Sequence, residues 1–227
     1  MRQKKPSYLY VIYLAIILAI VILFMLFLVN NNKPKAITDN LENDAYKLEL
    51  LEERLKKDAN LIDTTISRFN KQEREMFAEK GLQYFDPDEQ YRVVAEFVTD
   101  TSTPVFQMPT TTDRKPNYRI YGYLHFIVKD TLCKLTAYQN MDFKNSPSYD
   151  GTMFVPFIDN TNGLYTYGGG RYLDIEIPNS DTTFIDFNTA YNPYCAYSAR
   201  WSCPLVPFEN DLNISVLAGE KNYQKEY

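Results

Sequence analysis

Residues 118–139 read YRIYGYLHFIVKDTLCKLTAYQ, and this stretch decides the fold class of the chain. Apolar and polar residues alternate on both sides of its centre, which is typical of two antiparallel strands joined by a tight turn. Taking Asp130-Thr131 as a two-residue turn predicts which side chains face each other. Three facing pairs then lie on one side of the hairpin: Val128 and Cys133, Phe126 and Leu135, and Leu124 and Ala137. We expect these six apolar residues to form part of the core.

The opposite face of the same hairpin is rich in aromatic residues. It carries Tyr121, Tyr123, His125 and Tyr138. This surface either packs against another element or lines a cavity. His125 is the only histidine of the chain, which excludes a zinc site of three histidines and leaves a single candidate imidazole base. The sequence contains no nucleophile-elbow, zinc-protease or phosphate-loop motif, so no known catalytic motif surrounds His125.

Similar alternation recurs between Pro, Asn, Asp and Gly residues further along the chain, and it predicts more strands. The predicted strands are residues 91–98, 153–158, 172–177, 183–188 and 212–217. Short antiparallel strands of this kind bury their apolar faces in a barrel or in a two-layer sandwich. We therefore predict a mainly β domain over residues 82–220, and the pattern is compatible with either an antiparallel barrel or a two-layer sandwich.

Residues 37–81 have a helical pattern instead. Apolar side chains recur there every seven residues: Leu41, Leu48, Leu55, Ile62, Phe69 and Met76. One interpretation is a coiled-coil stalk that forms a homodimer with a structural or assembly role, although Asp44 and Asp58 occupy intermediate seam positions. The other interpretation is a helix that breaks near residues 58–60, followed by a second helix that ends at Gly81, with the apolar stripe packed on the next domain.

Residues 8–29 read YLYVIYLAIILAIVILFMLFLV, without a charge, a glycine or a proline. At 1.5 Å rise per residue this segment is about 33 Å long, enough to cross the ~30 Å hydrocarbon core of a bilayer. A cleaved signal peptide is the alternative, but its apolar region is usually shorter and ends in small residues. We predict a retained single-pass transmembrane helix, so the lipid bilayer is a partner of residues 8–29.

Positive charge decides the predicted orientation of this segment. Arg2, Lys4, Lys5 and the amino terminus precede the segment, whereas only Lys33 and Lys35 follow it closely. This bias favours a cytoplasmic N-terminus at residues 1–7 and a C-terminal domain outside the cytoplasm. The predicted location is the inner (cytoplasmic) membrane of the cell envelope. Residues 30–60 then form a linker and stalk helix, and residues 61–227 form the domain beyond it, with a helical lead-in at residues 61–81.

The composition of the 227 residues narrows the class of protein. With 45% hydrophobic and 23% charged residues, the chain is too apolar to be disordered and fits one or two globular domains. The formal net charge is −5, and after the basic first 35 residues the remainder holds 19 bases against 29 acids. Because that remainder is acidic, we expect no nucleic-acid partner.

Two of the three cysteines lie close in sequence. Cys195 and Cys203 occur in the proline-bounded segment NPYCAYSARWSCP. In an oxidising compartment a disulfide between them would stabilise the fold by roughly 2 to 3 kcal/mol, and otherwise they are buried thiols beside Trp201. Their spacing does not fit a C-x-x-C metal site, so no metal site is predicted and the cofactor is unknown. Cys133 points into the predicted core and is expected to be an inert thiol.

Three long segments resemble one known family. They are residues 81–97 (GLQYFDPDEQYRVVAEF), residues 153–176 (MFVPFIDNTNGLYTYGGGRYLDIE) and residues 185–221 (IDFNTAYNPYCAYSARWSCPLVPFENDLNISVLAGEK). All three resemble the bacterial domain of unknown function 1684 family, and the resemblance covers nearly all of the chain beyond the stalk. The Ser-Pro-Leu that the family often carries before its Gly-Leu-x-Tyr-Phe motif is not seen here. The family has no established activity, so the resemblance implies motif positions but no reaction.

Polar and aromatic residues are dense within these motifs. The candidate ligand-binding residues are Arg171, Tyr172, Asp174, Asp186, Asn188, Tyr191, Asn192, Arg200, Trp201 and Glu209. An arginine that clamps a carboxylate or phosphate beside aromatic rings is the usual composition of a small-molecule site. The same residues could instead pair with one another and hold loops in shape. We predict binding of a small polar or anionic ligand, and the alternative is a hydrolase-like enzyme with Asp174, Asp186 or Glu209 as acid or base.

Overall fold

The computed structural model describes residues 18–20, 22–23, 35–100, 102–143, 146 and 151–223. The chain divides into two compact units, residues 1–48 and residues 49–227. The predicted cytoplasmic N-terminus and most of the predicted transmembrane segment lie outside the described residues. Within the described part of the chain, no helix combines the length and the apolar character that a membrane span requires. The membrane segment therefore stays a prediction from the sequence.

Helix α1 (Lys35–Ile62) runs through the break predicted at residues 58–60 and ends two residues beyond it. The helix ends where Asp63 forms a local turn. The Asp63 carboxylate accepts hydrogen bonds from the backbone N–H and the hydroxyl of Thr65, both at 2.7 Å. Such a turn gives the backbone an alternative to the next helical hydrogen bond, because the aspartate side chain satisfies the N–H group locally.

Helix α2 (Lys71–Lys80) has well-defined ends. Asn70 and Glu73 form a capping box at its start, in which each side chain accepts a hydrogen bond from the other residue's backbone. Gly81 ends the helix at φ 61°, and its N–H donates to the carbonyl oxygen of Phe77. The predicted end of the second helix at Gly81 is therefore confirmed, whereas the helical lead-in predicted over residues 61–81 is helical beyond Ile62 only from Lys71.

Helix α1 packs with a different face from the one that its heptad pattern suggested. Three residues of the predicted stripe are exposed: Leu48 at 62%, Leu55 at 69% and Ile62 at 41%. The buried face holds Leu50, Arg54 and Leu61. Arg54 donates to the carbonyl oxygens of Phe85, at 3.0 Å, and of Asn188, at 3.2 Å. The β domain provides carbonyl acceptors for Arg54, so the face of α1 that carries Arg54 packs against it. The prediction that the apolar stripe packs on the next domain is therefore wrong for α1.

Eight strands of the described chain form one mainly antiparallel sheet. They are β1 (Arg92–Thr99), β2 (Phe106–Gln107), β3 (Asn117–Val128), β4 (Thr131–Asn140), β5 (Thr152–Asp159), β6 (Arg171–Glu176), β7 (Thr182–Asp186) and β8 (Asp211–Leu212). The hydrogen-bonded order is β6-β5-β4-β3-β1-β7, while β2 pairs with β3 and β8 pairs in parallel with β5. The strands predicted up to residue 188 are confirmed within two residues at each end. Of the strand predicted at residues 212–217, only Leu212 lies in a strand, because β8 ends there.

The central hairpin turns one residue earlier than predicted. Lys129 and Asp130 are its two turn residues, with φ angles of 46° and 62°, which is the conformation of a type I′ hairpin turn. Thr131 therefore pairs with Val128, and the register differs from the predicted one by two residues. A shift of two leaves every side chain on its own face, because the side-chain period of a strand is two. All six predicted core residues of the hairpin are buried, so this part of the prediction is confirmed.

The sheet curls into a half-barrel around one core. Strands β6 and β7 are the two ends of the strand order, so five spacings of about 4.8 Å would separate them by about 24 Å in a flat sheet. Leu173 of β6 and Ile185 of β7 nevertheless belong to one continuous apolar cluster, together with Leu124 and Phe157 of the central strands. The mainly β prediction is confirmed, with a curled half-barrel as the architecture.

The aromatic face of the hairpin is divided by a β-bulge between Ile120 and Gly122. The bulge turns Tyr121 toward the core, where its ring stacks on Phe97 with 6.1 Å between the centroids. A Cβ atom at Gly122 would lie 2.6 Å from the Phe97 ring, so this close approach needs a glycine. Tyr138 is 1% exposed on the other side of the sheet. Tyr121 and Tyr138 are therefore packed against other parts of the protein, which is the first of the two interpretations of this face.

Candidate functional site

Arg171 begins β6 and is completely buried. Its guanidinium forms an ion pair with Asp159, with 2.8 Å between Nη2 and Oδ2, and both side chains are 0% exposed. It also donates to the carbonyl oxygens of Val216, at 2.9 Å, and of Ala218. Burial lowers the pKa of Arg171, and the charge of Asp159 opposes that shift. These contacts join β6 to the C-terminal segment at residues 216–218, which overlaps the end of the strand predicted at residues 212–217. They leave Arg171 no exposed surface for a ligand.

Asp159 in turn shapes the loop between β5 and β6. Its second carboxylate oxygen accepts hydrogen bonds from the N–H groups of Thr161, at 2.8 Å, and Val216, at 3.2 Å. The N–H groups of Leu164 and Tyr165 both donate to the carbonyl oxygen of Thr161. Leu164 and Tyr165 are 73% and 61% exposed. The buried ion pair therefore fixes a loop that presents two large apolar side chains to solvent.

Asp186 and Asn188 meet where β7 ends. The Asp186 carboxylate accepts hydrogen bonds from the backbone N–H of Asn188, at 2.9 Å, and from its side-chain amide, at 3.0 Å. Asn188 is 1% exposed and exchanges two hydrogen bonds with the backbone of Asp88, at 2.8 and 3.0 Å. The pair thus holds the end of β7 against the chain that enters β1.

A buried carboxylate that the sequence analysis missed lies beneath α1. Glu220 is 0% exposed, and Lys57 Nζ lies 2.8 Å from its Oε2 atom. Its Oε1 atom accepts hydrogen bonds from the Asn192 amide, at 2.7 Å, and from the Tyr197 hydroxyl. Burial and then the Glu220 charge raise the pKa of Tyr197 well above its usual value, so this phenol stays protonated and donates. Asn192, one of the ten candidates, therefore belongs to a buried ionic cluster.

Three other candidates do come together, on the outer side of β6. The Tyr191 hydroxyl donates to Asp174 at 2.7 Å, and burial followed by the Asp174 charge raises the pKa of Tyr191. Tyr172 and Tyr191 exchange backbone hydrogen bonds of 2.9 and 3.0 Å, and their rings meet edge to face at 5.8 Å. The Tyr172 hydroxyl donates to the carbonyl oxygen of Pro204. These contacts fasten the segment after β7 onto β6, and Asp174 is exposed beside it.

Arg200 and Trp201 belong to an aromatic cluster around Phe69. Arg200 donates to Glu73 at 3.0 Å and to the carbonyl oxygen of Arg68. Its guanidinium carbon lies 4.9 Å from the Trp201 ring centroid, and that ring meets Phe69 at 5.9 Å. Arg200 and Trp201 therefore hold their own segment against the loop that precedes α2.

Glu209 lies over strand β4. It is exposed, and its carboxylate accepts a hydrogen bond from the Tyr138 hydroxyl at 2.7 Å. The neighbouring Asn210 is completely buried and bonds to the backbone N–H and carbonyl of Thr136, at 2.8 and 2.9 Å. The three carboxylates considered as acid or base are thus engaged by three different side chains, Tyr191, Asn188 and Tyr138. Such engagement matches the interpretation in which these residues hold loops.

Cys195 and Cys203 are adjacent in the structure as thiols. The backbone N–H of Cys195 lies 3.2 Å from the Cys203 sulfur, and the Tyr167 hydroxyl lies 3.8 Å from the Cys195 sulfur. A hydrogen bond with the Cys195 side chain and burial raise the pKa of the Cys203 thiol, so Cys203 stays protonated at neutral pH. The predicted disulfide stays a prediction, and the two thiols are close enough for oxidation to test it.

We expect mild oxidation to join these two cysteines and to leave Cys133 as a buried thiol. After treatment of the folded protein with oxidised glutathione, thiol titration in denaturant should find one reactive thiol in place of three. Cys195→Ser should keep two thiols after the same treatment, since neither remaining cysteine has its partner. Three thiols in the oxidised wild type would remove the disulfide from consideration.

Two neighbouring clefts beside α1 carry mixed charge. A cavity of about 90 Å³ is lined by Asn188 and Tyr191 together with the α1 residues Arg54 and Lys57. A cleft of about 380 Å³ also holds Lys57, with further cationic side chains and the acid Glu53. Lys57 is paired with the buried Glu220, and Glu53 lies beside the remaining cations, so carboxylates compete with an anionic ligand in both spaces.

A larger cleft, of about 650 Å³, opens where α2 ends. We name it the Lys80–Lys221 cleft, and its lining includes Lys80, Gln83, Leu164, Tyr165, Lys221 and Tyr223. The described lining contains two lysines and no carboxylate. Leu164 and Tyr165 are the exposed residues that the Arg171–Asp159 ion pair holds in place. The cleft therefore combines positive charge with an apolar wall.

Tyr223 lines this cleft. It is 8% exposed, and its ring packs against Phe77 at 5.3 Å and Tyr197 at 5.4 Å. Its hydroxyl is buried and has no hydrogen-bond partner within the described structure. Burial raises the pKa of Tyr223, Lys80 opposes this shift and the charge of Glu79 adds to it, so the hydroxyl is neutral and able to donate at pH 7. A buried hydroxyl without a partner is unfavourable, and a ligand oxygen would satisfy it.

Sequence reasoning missed this cleft because its residues lie at the ends of the recognised segments. Lys80 precedes the Gly81 cap, where a basic residue is ordinary at a helix C-terminus. Lys221 is the last residue of the third quoted segment, and Tyr223 follows it. The only available signal was two lysines beside the first and last motifs, which does not by itself indicate that they meet.

Comparisons with known proteins agree with this fold. The family model described as protein of unknown function (DUF1684) matches residues 77–221. The chain is similar to an uncharacterized protein of Haloarcula marismortui whose solution NMR structure is known, with 34% sequence identity and a TM-score of 0.61. That match covers 80% of this chain and 97% of the other. A comparison with curated proteins found no match.

Proposed function

The chain belongs to the DUF1684 family of proteins of unknown function. We propose from its sequence that it is tethered to a membrane of the cell envelope, and from its geometry that it binds a small anionic ligand in the Lys80–Lys221 cleft. The observation that carries this proposal is a cleft whose described lining holds Lys221 and Tyr223 and no carboxylate, with the Tyr223 hydroxyl buried and without a partner among the described residues. A volume of about 650 Å³ lies in the usual range for small-molecule sites, about 300 to 1,000 Å³.

The chemistry of the lining indicates which ligand groups would be recognised. Lys221 is a point charge that attracts a carboxylate or phosphate, and Tyr223 can donate a hydrogen bond to one of its oxygens. Leu164 and Tyr165 give an apolar part of the ligand a surface to contact. We therefore assign binding of a small organic anion, and not a hydrolytic reaction, to this cleft.

A thermal-shift experiment tests the binding proposal. Phenyl phosphate and benzoate serve as probes, and benzylamine as a cation of similar shape. With the full-length protein in detergent, an anionic probe at one hundred times its Kd should stabilise the fold by about 2.7 kcal/mol, or roughly 5 to 10 °C. Trp201, the only tryptophan, reports unfolding through its fluorescence.

Two variants make the result specific. Lys221→Ala should lose most of the shift, because half of the cationic lining is removed while the backbone contacts of residue 221 remain. Lys71→Ala, an exposed lysine of the same α2 helix as Lys80, should keep the full shift. An equal shift in Lys221→Ala, or a shift produced by benzylamine, would count against the proposal.

The tether is supported by the uncharged stretch at residues 8–29. The positive-inside rule supports an acidic domain outside the cytoplasm, because Arg2, Lys4 and Lys5 precede the stretch and only Lys33 and Lys35 follow it closely. Protease added to intact spheroplasts should then digest the large domain. Protection of the domain until lysis would reverse the orientation, and recovery of the full-length chain in the soluble fraction would refute the tether.

A further inference from the structure

Helix α1 presents two apolar faces, and the described structure covers one of them. Leu50 and Leu61 pack on the β domain and are 4% and 6% exposed. On the other face the exposures are 62% for Leu48, 45% for Leu51, 69% for Leu55 and 41% for Ile62. Single exposed leucines are ordinary on a protein surface, but four large apolar residues on one helical face mark an interaction surface.

The spacing of these residues is that of a heptad seam. Steps of three, four and seven residues keep Leu48, Leu51, Leu55 and Ile62 on one side of a helix. Asp58, at the remaining seam position, is oriented toward its own domain, where the backbone of Leu82 donates a hydrogen bond to it. The apolar seam is therefore strongest over the two turns from residue 48 to residue 55.

We propose that α1 pairs in parallel with α1 of a second copy of this chain through Leu48, Leu51 and Leu55. A seam with this repeat is complementary to a copy of itself, because each seam residue fits between four residues of the facing helix. The flanking charges agree with this pairing. In a parallel pair Lys47, just before the first seam leucine, faces Glu52 of the second copy, so two opposite-charge contacts flank the seam.

The parallel direction rests on the proposed tether. If residues 8–29 of both copies enter one bilayer from the same side, the two α1 helices leave it side by side and in the same direction. Confinement to one membrane also raises the local concentration of the second helix, which allows a seam of three leucines to associate. Ligand binding does not involve this face, so the dimer and the binding proposal are tested separately.

Cysteine cross-linking of the full-length chain in native membranes tests the pairing. Leu55→Cys places a thiol on the seam, whereas Glu53→Cys places one about 200° away around the same helix. Both positions are exposed, which makes the two variants a matched pair. Oxidation with copper phenanthroline should link Leu55→Cys into a dimer with roughly fivefold higher yield than Glu53→Cys or the wild type, because seam thiols of a parallel pair face each other.

Equal yields at the two positions would overturn the pairing, and so would a cross-linked product whose mass is not twice that of the chain. A second measurement does not depend on cysteines and also keeps the chain in its membrane. Fluorescence energy transfer between labelled copies of the full-length chain in native membranes should be lost in Leu51→Glu/Leu55→Glu, while the thermal midpoint stays close to that of the wild type, because both side chains are exposed. A dimer that persists in this variant would refute the proposed seam.

Discussion

Replacing Arg171 by methionine should destabilise the protein by about 3 to 5 kcal/mol. The change leaves the Asp159 carboxylate buried at 0% exposure without its cation, and removing one partner of a buried ion pair has this cost. It also removes the hydrogen bonds that hold the carbonyl oxygens of Val216 and Ala218. Urea unfolding of the full-length protein in detergent, followed by Trp201 fluorescence, measures the loss.

Two further variants identify the uncompensated charge as the cause. Adding Asp159→Asn to Arg171→Met should recover about 1 to 2 kcal/mol, because the asparagine oxygen still accepts from Thr161 and Val216 but carries no charge. Lys129→Met breaks an exposed ion pair, with 3.9 Å to Asp88, and should cost less than about 1 kcal/mol. If Arg171→Met is as stable as Lys129→Met, or if the second substitution deepens the loss, the ion pair does not stabilise the fold as argued.

The same residue shows how far the sequence could predict the candidate site. Arg171 lies in a motif that is rich in polar and aromatic residues, and in the structure its side chain does make several polar contacts. Its partners are Asp159, twelve residues away, and carbonyl groups more than forty residues away. Alternation along a strand gives the face of a side chain, but it does not give a partner from a distant segment. A buried structural arginine and a ligand-binding arginine therefore look alike in a single sequence.

The fold was more accessible to prediction, because strand alternation and helix caps are local properties. The hairpin core residues and the Gly81 cap follow from the sequence pattern alone. The exact register does not, because placing the turn at 129–130 or at 130–131 exposes and buries the same residues. The packed face of α1 was missed for a different reason. The heptad pattern identifies the face that carries the leucines, but the face that packs on the β domain carries Arg54, whose acceptors are carbonyl groups far away in the sequence.

Lys57→Met should separate the last turns of α1 from the β domain and cost about 3 kcal/mol, since it leaves Glu220 buried without its cation. Lys57 and Glu220 are 163 residues apart in sequence, so this contact joins a helix predicted as stalk to the end of the family domain. Hydrogen exchange of the amides at residues 49–62 should accelerate in Lys57→Met. Lys56→Met, the exposed neighbour, should change stability by less than about 0.5 kcal/mol.

A double substitution distinguishes a lost ion pair from a lost apolar contact. Lys57→Met/Glu220→Gln removes both charges, while the glutamine oxygen still accepts from the Asn192 amide, at 2.7 Å in the wild type, and from Tyr197. It should therefore be more stable than Lys57→Met alone by about 1 to 2 kcal/mol. Slow exchange at residues 49–62 should return with it. An exchange rate that stays fast in the double variant would mean that α1 is held by the aliphatic stem of Lys57 and its apolar neighbours, and not by the charge of Glu220.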